Sequence, residues 1–293
     1  TPSGAGDDGT VTMTANAAYY RGRPGIDNVV VQPYASVRSA WASLLRQEVD
    51  MVYEVGVDAV DLLQPSTNIN VYSSARPYAL AVILNVRRPQ LRDPAIRRAL
   101  NAAVDRTALV ADALNGHGTP ADSPLWPYHW ASGEGLPRFA YAPSALEQSG
   151  ITVSILFAEE SHERVALMLQ RQLQVIGVNV VLEAAPLDEA VERLTSGDFD
   201  GFLVDAIQGP VMVRPYLMWH SKAPRNWGGF ASAEVDAAFE AIQRAPNDDA
   251  YREGVAAFQR AMVNDPPAIF LAWGERSRAV SVRFAVPAEP NRD

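Results

Sequence analysis

The chain has 293 residues, 48% hydrophobic and 20% charged, a make-up that fills two cores or one extended α/β core and argues against disorder. A formal net charge of −9 and a pI near 5.0 disfavour phosphate backbones and anionic lipid as partners, because both need a concentrated positive surface. Without cysteine there is no disulfide, thiolate nucleophile or thiolate metal site, and no run approaches the roughly 20 apolar residues that span a bilayer.

Residues 1–9 are small, polar and glycine-rich and read as a loosely held end. No charged-then-apolar leader precedes them, so a signal segment is expected outside this chain. The alternating stretch 10–14 predicts a strand, and 28–33, with three consecutive valines, predicts a second one in a buried setting. Ser36 is placed to cap a helix in which Val37, Ala40, Trp41, Leu44 and Leu45 recur at helical spacing. With a strand following at residues 50–53, that order predicts a βαβ unit. A short helix at 58–63 and strands at 70–72 and 78–85 come next. Asp93-Pro94 opens a helix over 95–105, and a second helix over 107–114 closes at Asn115-Gly116.

Residues 117–150 are broken by five prolines and read as a structured loop region carrying Trp126, Tyr128 and Trp130. Regular alternation then resumes: strand 152–157, helix 161–176 with Ser161 as cap, strand 179–184, helix 187–195 and a buried strand 199–205. Amphipathic helices at 233–244 and 249–264 precede an apolar strand at 268–273. Alternating strands and helices imply sheets covered on both faces, with ligands at the carboxyl ends of strands or between lobes.

No nucleophile elbow, phosphate loop, dinucleotide glycine fingerprint or zinc-protease helix occurs. Ser161-His162-Glu163 are neighbours on a helix and point apart, so they form no relay. Catalysis is not expected, and neither is a cofactor. None of His117, His129, His162 and His220 is paired four apart on a helix, and no metal site is expected. His220 and His129, each beside a tryptophan, are the histidines best placed to touch a metal chelate. Aromatic residues concentrated in irregular segments suggest a binding surface: Trp130 in the proline-rich loop, and Trp219 and Trp227 around Asn226.

A succession of local patterns resembles solute-binding protein family 5, the class of periplasmic oligopeptide, dipeptide and nickel receptors. Ala15-Asn16-Ala17-Ala18-Tyr19-Tyr20-Arg21-Gly22-Arg23-Pro24 resembles the family's tyrosine turn, and Gln47-Glu48-Val49-Asp50 its "GEVD" element. Most specific is Leu84-Asn85 followed by Asp93-Pro94-Ala95-Ile96-Arg97-Arg98-Ala99-Leu100 and Ala103-Val104-Asp105-Arg106. Gly116 to Pro120, Ile176-Gly177-Val178, Asn226 to Asp236 and Asp265 to Leu271 continue the likeness. The family's receptors are longer by roughly a first third, so the chain is either a fragment or a reduced member.

The resemblance implies an α/β fold of the type II periplasmic-binding-protein kind, two lobes with mixed sheets flanked by helices and a hinge. Residues 1–80 and 273–293 would form one lobe and 81–272 the other. It implies that Asp205 holds a ligand ammonium, that Trp273 belongs to an aromatic cluster facing the cleft, and that Tyr78 sits at hinge and cleft together. Arg97 and Asp105 are assigned to internal ion pairing and capping. The implied role is substrate binding for an ABC importer: a small-molecule or short-peptide ligand held between lobes, a membrane permease as partner, a monomer, and a periplasmic or extracellular location with a lipid anchor as an option. The rival readings are the effector-sensing domain of a transcription regulator of the same ancestry and an enzyme that reuses the fold.

Overall fold

The computed structural model describes residues 2–6, 8–143 and 150–284, and the chain divides into two compact units, one of residues 1–72 and 277–293, the other of residues 73–276.

In the first unit, β1 (Pro2–Ala5), β2 (Val11–Thr14) and β3 (Asn28–Val31) form an antiparallel three-stranded sheet in that order. The three valines of β3 are exposed, at 42%, 60% and 50%, so the burial expected from their apolar run is not met. Helix α1 (Val37–Leu45) starts as its sequence requires. Ser36 accepts from the Ser39 N–H, and Ser39 Oγ in turn accepts from the Ser36 N–H, the reciprocal capping box. Next come β4 (Met51–Val55) and α2 (Val57–Leu63). Strand β4 does not complete a βαβ unit with β3. It pairs antiparallel with the Ser277–Val280 part of β10 (Ala268–Ser281), in a different sheet from β3. Leu44, Val52, Val55, Val60, Leu63 and Ile69 are the larger members of this unit's small core.

The second unit is built on β5 (Ile69–Leu84, entering the unit at Ser73), β6 (Gly118–Pro120), β7 (Thr152–Phe157), β8 (Asn179–Ala184), β9 (Gly201–Ile207) and β10. The order is β10-β5-β9-β7-β8, with β6 pairing β10. β5 and β9 are antiparallel from Tyr78↔Ile207 to Leu84↔Gly201, whereas β7 is parallel to both β8 and β9, so the sheet is mixed. Residues 70–72 and 78–85, read from sequence as two strands, fall on one 16-residue strand that ends at Leu84, and β10 runs eight residues beyond the apolar segment that announced it.

Both faces are covered. Leu80, Val82, Leu84, Val153, Ile155 and Leu203 pack under α3 (Pro94–Ala102), α4 (Arg106–Ala113) and α5 (Glu163–Val175). Ala79, Ala81, Ile83, Phe202 and Phe270 pack under α6 (Leu187–Ser196), α7 (Val213–Trp219), α8 (Ala233–Arg244) and α9 (Asp248–Asn264). Helix α5 begins two residues later than expected, after a 3-10 turn over Glu160–His162, and Ser161 makes no cap. Asp105 is not inside α3. It accepts from the Ala108 N–H and caps α4.

Polar residues join the helices to the sheet. Arg97, buried, donates Nε to the Pro266 carbonyl (2.9 Å) and Nη1 to the Leu91 (2.6 Å) and Arg92 (2.7 Å) carbonyls, and pairs with Asp265. Arg106, also buried, donates to the carbonyls of Ala121, Phe270, Asn101, Val104 and Phe139 and to Asn101 Oδ1 (3.0 Å). Burial lowers its pKa to about 10, so the guanidinium stays charged while these carbonyls replace its water.

Candidate functional site

Strand pairing fixes where the expected residues point. Opposed residues of an antiparallel pair share a face, and Asp205 stands opposite Leu80 in an unbroken register. Asp205 and Tyr78 therefore project from the sheet face that also carries Leu203 and Val82. Arg76 shares that parity, and its guanidinium lies 4.1 Å from the centre of the Tyr78 ring, a cation–π contact that orients the phenol. Asp205 is not the last residue of its strand, since β9 continues through Ile207. Its side chain is half-buried and engaged within the fold.

Trp273 belongs to the same end of the sheet. Leu84 donates its N–H to the Pro267 carbonyl (3.0 Å), and Tyr78 and Trp273 each lie six residues along from that contact on neighbouring strands. Its indole, only 2% exposed, packs in the cluster on the opposite sheet face, with Trp126 edge-on at 5.1 Å between ring centres. Trp126 in turn meets Tyr128 at 5.2 Å. Gly209 makes room for this packing, because a Cβ there would lie 2.8 Å from Trp126 Cβ and 3.2 Å from Pro77 Cβ. Carboxylate, phenol and indole thus gather at one sheet end but on two faces.

Beside Trp273 opens a cavity of about 330 Å³ within the second unit. Leu125, Pro120 and Pro127 join the indole as its apolar lining, and Thr107, Thr119, Ser123 and Ser132 bring hydroxyls. Asp122 and Arg138 also line it, held together by a 2.7 Å Oδ1–Nη1 contact with side chains 43% and 52% exposed.

The other expected residues do not join them. Trp219 is 2% exposed and donates its indole N–H to Gln208 Oε1 (2.7 Å), so it serves the core that holds the loop after β9. Asn226 closes its own loop, donating to the Phe230 carbonyl (2.6 Å) and accepting from the Phe230 N–H (2.9 Å). Trp227 follows it at the far end of β5, where its carbonyl accepts from Arg87 (2.6 Å) and Gly228 seats against Leu84. Six residues of strand, about 20 Å, separate that end from Tyr78. Trp130 is 53% exposed and stacks on Tyr251 of α9 at 5.0 Å, with the Arg252 guanidinium 5.1 Å from its ring.

Two of the histidines hold local backbone. His220 accepts the Lys222 N–H at Nδ1, and His129 accepts the Ala131 N–H at Nδ1 while burial holds its pKa below the usual imidazole range. Among the described residues no three His, Asp or Glu side chains are grouped to hold a metal ion, and no helix is long and apolar enough to cross a membrane. Asp122, Arg138 and Gln208 had no sequence signal, as their loops carry no periodicity. Arg76, two residues before Tyr78 on one strand, was accessible through strand parity.

The chain belongs to the bacterial extracellular solute-binding proteins, family 5, whose middle-region profile matches residues 5–228. This is a family of binding proteins and not of enzymes. The oligopeptide-binding protein AppA of Bacillus subtilis is 21% identical over 299 residues, covering 92% of this chain and 55% of that protein. The glutathione-binding protein GsiB of Pectobacterium atrosepticum is 26% identical over 178 residues, 56% of this chain and 34% of that protein. NikA from Brucella suis, solved with Fe(III)-EDTA, superposes with a TM-score of 0.86 at 16% identity over 99% of this chain and 64% of that one, which shows the α/β binding-protein fold. The chain therefore spans about half the length, 55%, of the AppA relative it matches along most of its own length.

Proposed function

We propose that this chain is the solute-binding part of an ABC importer component that takes up a small, peptide-like solute outside the cytoplasm and presents it to a membrane permease. The observation that carries the reading is the gathering of Asp205, Tyr78 and Trp273 at one end of the sheet, in a chain of this family. A half-buried carboxylate two residues before the end of β9 offers a cationic group a charge-assisted hydrogen bond, and Trp273 gives the neighbouring cavity an apolar border. In this reading the two compact units act as lobes, with β5 and β10 as the strap on which they bend, and a solute shifts the population toward the closed form. The working form is a monomer with no cofactor.

The test is native mass spectrometry of protein purified without denaturation, followed by titration with the cargo it retains. Asp205→Asn should weaken binding of a cation-bearing solute about tenfold or more at a temperature where the melting curve shows the variant folded. Binding indifferent to that substitution, or deletion strains whose solute uptake is unimpaired, would sink the proposal.

A further inference from the structure

We propose that the cavity beside Trp273 is a subsite for a neutral, hydroxyl-rich solute of monosaccharide size, gripped by Asp122 and Arg138. This rests on the importer reading only in assigning solute binding to the second unit. Its volume of about 330 Å³ falls at the lower end of small-molecule pockets, about 300–1,000 Å³.

The chemistry of the lining selects the ligand class. It contains one acid and one base, already in contact at 2.7 Å, so a singly charged ligand would compete with a partner in place. The termini of a peptide carry opposite charges too, but the intervening chain holds them well apart, whereas these two groups touch. Neighbouring hydroxyls on a ring suit the pair as it stands. One O–H donates to the second Asp122 oxygen, and the adjacent oxygen accepts an Arg138 N–H not used by the ion pair. Among the described residues the pair makes no other side-chain hydrogen bond. Thr107, Thr119 and Ser132 add hydroxyls that are both donors and acceptors, and Pro120 and Pro127, with the edge of the buried Trp273, give ring C–H groups an apolar border.

The experiment is calorimetric titration of the full chain with glucose, galactose, xylose, myo-inositol and trehalose, alongside free amino acids and dipeptides. At least one polyol should bind, and Asp122→Asn and Arg138→Gln should each weaken it about tenfold or more, the cost of losing a hydrogen bond to a charged group. Both variants should fold, since a half-exposed ion pair adds little to stability, and their melting temperatures verify it. The double exchange Asp122→Arg with Arg138→Asp restores an ion pair but inverts the donors, and it should not restore binding. Failure of every polyol to bind, or polyol binding indifferent to both variants, would overturn the inference. Dipeptide binding that needs Asp205, with no polyol bound, would overturn it while leaving the importer reading intact. Polyol binding that needs the pair, in a strain whose uptake survives deletion of the protein, would support the subsite and sink the importer reading.

Discussion

At the scale of single residues, the second unit depends on buried polar groups such as Arg97 and Arg106, whose guanidinium N–H groups are met by backbone carbonyls. Removing the Arg106 guanidinium, as in Arg106→Met, leaves five backbone carbonyls without that donor and should cost about 3 kcal/mol or more, read by urea unfolding. His129 gives a pH dependence. Burial depresses its folded pKa below the unfolded value, so on acidification the unfolded chain takes up the proton first and stability falls. Stability should therefore decline as pH drops through and below the ordinary imidazole range. His129→Asn, which keeps an acceptor for the Ala131 N–H, should flatten that limb in melting curves.

At the scale of elements, legibility followed periodicity. The β7-α5-β8 succession was readable because Val165, Leu169 and Leu173 repeat at helical spacing between two apolar strands, and α8 because Val235, Ala238, Phe239 and Ile242 recur at the same spacing. The outer halves of β5 and β10 were not, because Ser73, Ser74, Arg76, Arg276 and Arg278 have no apolar alternation. Backbone pairing and aromatic contacts such as Arg278 over Tyr53 (4.8 Å) carry these stretches instead. Helix α7 and β6 are short and lie amid loop sequence, so nothing marked them. Of the expected site residues, Asp205, Tyr78 and Trp273, drawn from ordered motifs, lie at one end of the sheet. Asn226 and Trp227 lie at the other end of β5, since nearness in sequence to Trp219 says nothing about which strand end a loop reaches. That far end has its own requirement. A Cβ on Gly228 would lie 2.3 Å from the Leu84 carbonyl oxygen, so Gly228→Ala should cost about 1–3 kcal/mol in thermal unfolding.

At the scale of the whole molecule, the two units differ in what holds them. The first has a small core around Leu44, Val60 and Leu63, whereas the second buries apolar residues on both faces of a mixed sheet. Local opening free energies track buried apolar contacts. Amides of β4 and of Ser277–Val280 should therefore exchange hydrogen well before those of Ala79–Leu84 and β9, in a comparison by exchange mass spectrometry. The crossed indoles of Trp126 and Trp273 have an optical corollary. Two indoles with centres 5.1 Å apart and ring planes inclined by 70° are close enough for their excited states to couple, so the pair should give a circular-dichroism couplet at the border of the cavity. A solute settling against Trp273 would reshape that couplet, and the protein would signal its own occupancy without any attached dye.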